Sequence, residues 1–376
     1  MSDTAVRSPI HSAQERIGGT FDDWDGWLWT TGFGDRDAEY GAIREGVGAW
    51  DVSALIKWDF RGPDALAAAD RLLTNDVLGL ADGQVRYGAM VDAEGRFVDD
   101  GTVYRFAADH AWVMTNLFEM EEHFALVTGG LDVAIECIVH DLPLISIQGP
   151  LSRDLLTELA PGAGIDRLGY FRFTTEPVDV AGIPAWVSRT GVTGELGYEL
   201  FCRPGVAEAL WDLLTAPLRA KPVGFDAIDV VRIESGIILP GYDYTAGEST
   251  PYDVSFDRLV KLDGREFLGR DALARIAVDP PRRLVGLRIE GEEVPESGAE
   301  ISRDGRPIGA ITSPTDSPAF GSIALGVVAT ADAGAGPVEV AIGDGRVAAF
   351  QDRPAVYDPE KRRPRGRIER HDRRSS

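Results

Sequence analysis

The stretch FVDDGTVYR, Phe97 to Arg105, sets two adjacent carboxylates inside a run with strand chemistry. Valine, threonine and tyrosine favour strands, whereas aspartate is depleted from them. Side chains alternate along a strand. Asp100, Thr102 and Tyr104 are therefore expected on one face, and Asp99, Gly101 and Val103 on the other. A carboxylate, a hydroxyl and a phenol on one face suit the wall of a polar pocket. The plainer reading is a solvated hairpin edge, since exposed acids are the rule.

Two further stretches carry functional groups. SRTGVTGELGYELF, Ser188 to Phe201, offers Glu195 and Glu199. A fixed carboxylate can accept two parallel hydrogen bonds, as it does from a guanidinium. Glu195 is the rival for that task, but reads first as a solvated turn residue or hairpin cap. VVRIESGIILPGYDY, Val230 to Tyr244, contributes Arg232, which either touches a ligand or pairs with Glu234 or Asp229. Trp29, Trp50 and Trp58 either line a small-molecule pocket or fill core. The histidines at 11, 110, 123, 140 and 371 show no metal-ligand spacing with one another or with a cysteine, so no metal is expected. The GxxxxGKS/T phosphate loop is missing, and the AGAG run around Gly334 leads into a strand pattern rather than a helix.

Composition narrows the classes. The formal net charge of −23 argues against a nucleic-acid or anionic-membrane partner, because both repel an acidic surface. No window reaches the roughly 18 uninterrupted apolar residues of a membrane helix. The first residues lack the apolar core of a signal peptide, and Cys137 and Cys202 are isolated. A disulfide-free cytoplasmic protein is the simplest reading.

The elements that must hold these groups follow from a repeated pattern: strand, Gly-Pro, helix. It appears as IKWDFRGPDALAAADRLL (Ile56–Leu73) and LISIQGPLSRDLLTEL (Leu144–Leu159), and more loosely as YELFCRPGVAEALWDLL (Tyr198–Leu214). Proline is favourable in a first helical turn because its missing N–H would have no partner there. Strands alternating with single helices, together with hairpins such as VYRFAADHAWVMTN, predict an α+β fold with mixed antiparallel sheets. The length of 376 residues suits two or three domains. After Val278 short strands take over, with hairpin turns at Asp304-Gly305 and Asp344-Gly345, predicting a small C-terminal β-barrel or sandwich. The expected division is 1–50 with 138–245, then 51–137, then 246–366. A basic tail, 367–376, is expected to be disordered.

These stretches stand in a collinear order that resembles the aminomethyltransferase (T-protein) family of the glycine cleavage system, which includes tetrahydrofolate-dependent demethylases. WDVSALIKWDFRGPDAL lies upstream, GQVRYGAMVDAEGRFVDD leads into the aspartate pair, and KLDGREFLGRDAL and TSPTDSPAFGSIALGVV lie downstream. The resemblance runs from about Tyr40 to Gly366. It implies a three-domain ring with tetrahydrofolate in the central hole. It implies that Asp100 sits beside the atoms handling the one-carbon unit, with Thr102 and Tyr104 on the same wall and Tyr87 against the cofactor. It places Tyr170 and Phe171 around the folate, and Glu199 on the pterin, whose adjacent N–H and amino group one carboxylate can accept together.

The departures shift the expected activity. Val192 stands where the family's GYTGE motif has tyrosine, Ile228 where its ARD arginine precedes RLEAG, and Ser53-Ala54-Leu55-Ile56 where it has SHMG. RIESG, the YD pair and TPYDVSF resemble the demethylase branch. The expectation is a demethylase moving a methyl group from a small O-, S- or N-methyl donor to N5 of tetrahydrofolate, with no lipoyl carrier protein as partner. The alternative is an ordinary aminomethyltransferase. A folate-binding protein without activity is the third reading; KLDGREFLGR lacks the cysteine of the KGCYxGQE motif that marks such relatives.

Overall fold

Each Gly-Pro pair stops a strand and starts a helix. In the computed structural model, which describes residues 5–217 and 219–367, strand Ile56–Arg61 leads through Gly62-Pro63 into helix Ala65–Leu72. Strand Leu144–Gln148 leads through Gly149-Pro150 into helix Ser152–Leu159, and strand Gly197–Phe201 into helix Pro204–Leu214. Of the tail placed at 367–376, all but Arg367 lies outside the described residues.

Two sheets face the site. A five-stranded sheet is ordered Gln84–Val91, Phe97–Ala107, His110–Thr115, Ile56–Arg61, Ala134–Cys137. A six-stranded sheet is ordered Val178–Val180, Ile183–Ser188, Gly197–Phe201, Leu144–Gln148, Gly48–Asp51, Lys221–Pro222. Pairing is antiparallel except where Lys221–Pro222 joins Gly48–Ala49. Helix Phe225–Glu234 is buried along most of its length and packs on helix Arg36–Glu45 and on the C-terminal strands.

The C-terminal strands close into a six-stranded barrel running from Arg282 to Asp352. Its core is aliphatic, with Leu287, Ile301, Val328 and Val340 buried. Asp304 and Gly305 both take positive φ, as a two-residue hairpin of mirror-image twist requires. The α+β class, the antiparallel sheets and the barrel all agree with the sequence reading.

The chain after the barrel returns to the end of helix Phe225–Glu234 and to Arg189, just past strand Ile183–Ser188. Backbone N–H groups of Val356 and Tyr357 donate to Glu234 O at 2.9 and 2.8 Å, and Arg189 donates to Pro364 O at 2.9 Å.

Candidate active site

Strand Phe97–Ala107 has the register that the alternation predicted. Ala89 pairs with Asp100, and Thr102 lies between Tyr87 and Met114. A cavity between the two sheets is lined by Tyr87, Asp100, Thr102, Tyr104 and Asn116 on one side and by Thr190, Val192 and Glu199 on the other. Tyr170 and Phe171 also line it. Gly101 is required between the two pocket residues, because a Cβ there would meet Met114 O at 2.0 Å.

The two aspartates have separate work. Asp99 is fully buried and accepts from the backbone N–H groups of Asn116 at 2.8 Å, Leu117 at 3.1 Å and Asp100 at 2.8 Å. It holds the turn that ends strand His110–Thr115. Asp100 points into the cavity and accepts from Tyr244 Oη at 2.5 Å and Tyr87 Oη at 2.7 Å. Burial, then the Asp99 charge, push the Asp100 carboxyl up to about 7, while the two tyrosine hydroxyls pull it down. Burial raises Asp99 as well. Tyr87 and Tyr244 are held well above the usual phenol range by burial and by the Asp100 charge, so both remain donors. Such an acid exchanges its proton near neutral pH, as general acid–base work requires.

Glu199 lies on strand Gly197–Phe201, flanked by Ser188 and Ser146 on the neighbouring strands. Its Oε2 accepts from Thr190 Oγ1 and lies 3.5 Å from Tyr104 Oη. Burial raises the Glu199 carboxyl against the pull of those hydroxyls. Glu195 is not the solvated turn residue or cap that the sequence allowed. It is buried, bonded by Tyr357 Oη, and in ion-pair reach of Arg44 at 3.4 Å and Arg363 at 3.6 Å. It ties the chain after the barrel to the six-stranded sheet.

Tyr170 and Phe171 meet edge to face with ring centroids 4.7 Å apart. Phe171 has φ +57°, a left-handed conformation that costs a non-glycine residue about 1 kcal/mol or more. Two backbone bonds hold it there: its N–H donates to Arg189 O at 3.1 Å and its carbonyl accepts from Val85 N at 3.0 Å. The strained residue thus stitches the two sheets together at the cavity.

Arg232 does not line the cavity. Its guanidinium is buried and committed to Asp229 at 2.8 Å, Asp243 at 2.6 Å and Ser313 at 2.9 Å. The geometry thus agrees with the pairing reading through Asp229 rather than with contact to a cofactor in the cavity. Glu234, its other suggested partner, instead holds Arg44 at 2.5 Å. Trp58 belongs to core, its Nε1 donating to Thr115 Oγ1 at 2.9 Å. Trp29 and Trp50 pack against each other and Phe225 rather than on the cavity.

Sequence reasoning missed Tyr244, Asn116, Lys361 and the apolar rim Leu55, Ile237, Ile238 and Pro240. The GYDY cluster could have pointed to Tyr244; nothing local marks the others.

Two facing sheets with flanking helices and a closed barrel thus frame a cavity that holds a buried carboxyl. The GCVT N-terminal domain model matches residues 10–264, and the glycine cleavage T-protein C-terminal barrel domain model matches 282–358. The chain is 36% identical to a probable aminomethyltransferase of Haloarcula marismortui, over 86% of this chain and 90% of that one. It is 33% identical to an aminomethyltransferase of Thermotoga maritima, over 86% and 89%. The crystal structure of aminomethyltransferase T from Bartonella henselae superposes with a TM-score of 0.83 at 24% identity, covering 94% of this chain and 97% of that one, and shows the same fold. The chain belongs to the aminomethyltransferase family and is a tetrahydrofolate-dependent one-carbon transferase. The relatives' names agree with the aminomethyl alternative more than with the demethylase expectation.

Proposed function

We propose that the chain transfers a one-carbon unit at the aminomethyl level to tetrahydrofolate, the activity its relatives are named for. The observation that carries this reading is the Asp100 carboxyl, buried between two tyrosine hydroxyls and poised to exchange a proton near neutral pH. Bound tetrahydrofolate supplies the two nitrogens that accept the carbon. The transfer would release two protons from those nitrogens and take up two on the departing amine and the carrier thiol. Asp100 is placed to pass such protons, and Tyr87 and Tyr244 fix its orientation.

The cavity fits the cofactor. Among the described residues both hydrogen bonds to the Glu199 carboxyl fall on Oε2, which leaves Oε1 for a ligand on a cavity wall. A pterin edge, with its N–H and amino group side by side, matches that carboxylate. Tyr170 and Phe171 present aromatic surface to a flat heterocycle. The reading brings back a lipoyl-bound aminomethyl donor, against the sequence expectation.

One observation favours a second reading, methyl transfer from a small O-, S- or N-methyl donor to N5. Ile228 is buried in the apolar cluster that holds Trp50, and Val192 lines the cavity, where the family resemblance has an arginine and a tyrosine. The donor side is thereby more apolar and lacks one cation.

One experiment separates them. The protein is incubated with tetrahydrofolate and either an aminomethylated lipoyl carrier or a panel of methoxy, methylthio and N-methyl compounds, and the folates are resolved by mass spectrometry. Methylene-tetrahydrofolate with ammonia release supports the first reading. Methyl-tetrahydrofolate, with an inert carrier, replaces it with the second.

A further inference from the structure

Asn116 lines the cavity and has no part yet in the chemistry. It follows strand His110–Thr115, and its backbone N–H donates to Asp99 Oδ2 at 2.8 Å. Its side-chain Nδ2 donates to Asp99 Oδ1 at 2.9 Å and to the Asp100 carbonyl at 2.9 Å, with Asp100 Oδ1 3.4 Å away. One asparagine thus binds both members of the aspartate pair.

These contacts fix which way the amide points. A side-chain amide carries its N–H donors on nitrogen and its lone pairs on oxygen. Exchanging the two would set Oδ1 against Asp99 Oδ1 and the Asp100 carbonyl, oxygen against oxygen. The nitrogen therefore faces the aspartates, and the oxygen faces away from them. Among the described residues no donor meets Asn116 Oδ1, and the atom is not sealed in the core. The result is an uncharged acceptor, locked in direction, on the cavity wall beside Asp100.

Its place along the wall indicates which ligand it meets. Tyr104 lies at the far end of the pocket strand from Asp100 and is 3.5 Å from Glu199, the carboxylate read as the pterin holder. Four residues of strand span about 13 Å. Thr115 pairs with Gly101 on one side and with Ile56 on the other. Asn116, the next residue, therefore stands level with Asp100 and between it and Leu55, part of the apolar rim. The pterin end of the wall and Asn116 lie apart, with Asp100 on the Asn116 side.

We propose that Asn116 is a specificity-determining residue for the one-carbon donor, its Oδ1 accepting an N–H of the amine that departs. The inference rests on the aminomethyl reading. It adds a hydrogen bond and no new step: the departing nitrogen takes one proton from Asp100, and a second N–H on that nitrogen points to Asn116. An N–H donates more strongly as its nitrogen gains positive charge, so the bond strengthens while the amine leaves. An ether oxygen or a thioether sulfur has no N–H to offer and meets the amide oxygen with its own lone pairs. The same atom therefore selects against the methoxy and methylthio donors of the second reading.

The test counts N–H groups on the donor. Dihydrolipoamide is prepared with an aminomethyl, a methylaminomethyl or a dimethylaminomethyl group, and kcat/KM for transfer to tetrahydrofolate is measured for wild type and Asn116→Ala. Once Asp100 has given its proton, that N–H faces Asp100, and only the dimethyl donor has none left for Asn116. In wild type the first methyl group should change little, and the second should cost about tenfold, the worth of one hydrogen bond. In Asn116→Ala the dimethyl penalty should vanish. Loss of the turn that Asn116 braces would lower all three donors alike, so an unchanged ratio between them overturns the proposal. An even decline over both methyl groups in wild type reports size and overturns it too. Tetrahydrofolate affinity, read by anaerobic titration without donor, should be the same in both proteins. An affinity loss as large as the loss of turnover assigns the N–H to the folate and overturns the proposal.

Should Asn116→Ala not fold, the wild-type series needs no variant, and a dimethyl donor as good as the other two overturns the proposal. A wild type inert toward all three donors that makes methyl-tetrahydrofolate from the methoxy or methylthio compounds overturns the aminomethyl reading itself, a distinct result.

Discussion

Tyr244 Oη donates to Asp100 Oδ1 at 2.5 Å across 144 positions of sequence. The bond joins the loop after helix Phe225–Glu234 to the pocket strand, and it pulls down an acid that burial has pushed up. Tyr244→Phe removes that pull. The acid limb of the pH–rate profile should then move to higher pH, with turnover at neutral pH falling several-fold. An unchanged limb would show that Asp100 is not the group the profile reports.

The aspartate pair should separate activity from stability. Asp100→Asn keeps the shape and removes the charge, so turnover should fall at least about tenfold, or roughly 1.4 kcal/mol in the barrier. Folate affinity should change less, since the loss lies in the transition state. Asp99→Asn weakens a carboxylate that holds three backbone N–H groups, and should destabilise by about 1–3 kcal/mol while lowering the turnover of the folded protein less than Asp100→Asn does. Normal turnover in Asp100→Asn with an inactive, folded Asp99→Asn would place the pocket on the other face.

The same residue predicts a pH-dependent stability. Asp100 has a folded pKa raised above its unfolded value, so between about 4 and about 7 the folded state binds more protons than the unfolded. Stability from this group is present at low pH and is lost as pH rises through about 7. Asp100→Asn removes that loss. Its melting temperature relative to wild type should therefore be higher at pH 8 than at pH 4. Parallel melting curves at both pH values would mean that Asp100 titrates normally.

Glu199 and Glu195 lie four positions apart and should respond differently. Glu199→Ala should weaken folate binding by about 1–3 kcal/mol, the range for a buried charged hydrogen-bond partner, with little change in folding. Glu195→Ala leaves Arg44 and Arg363 short of a buried partner and should lower stability, by up to about 3–5 kcal/mol. Denaturant unfolding and folate titration of the two variants distinguish the roles; equal affinity losses would mean that the wrong glutamate holds the pterin.

Much of the frame was legible in sequence because its causes are local. FVDDGTVYR alternates because a strand turns successive side chains to opposite faces, and that alone separated Asp100 from Asp99. The Gly-Pro helix starts and the Asp304-Gly305 hairpin follow from backbone sterics within a few residues. What no local window contains is which distant group meets which. Arg232 lay within three positions of both Glu234 and Asp229; it kept Asp229, and packing of its helix against the barrel gave it Asp243 and Ser313 in place of Glu234. Glu195 and Glu199 read alike in one motif, until the returning C-terminal chain buried the first under Tyr357 and left the second on a cavity wall. Tyr244 reaches Asp100 only when the loop after helix Phe225–Glu234 docks on the pocket strand. Strand period is a property of the backbone, but burial and charge pairing belong to surfaces that come together only when the chain is folded.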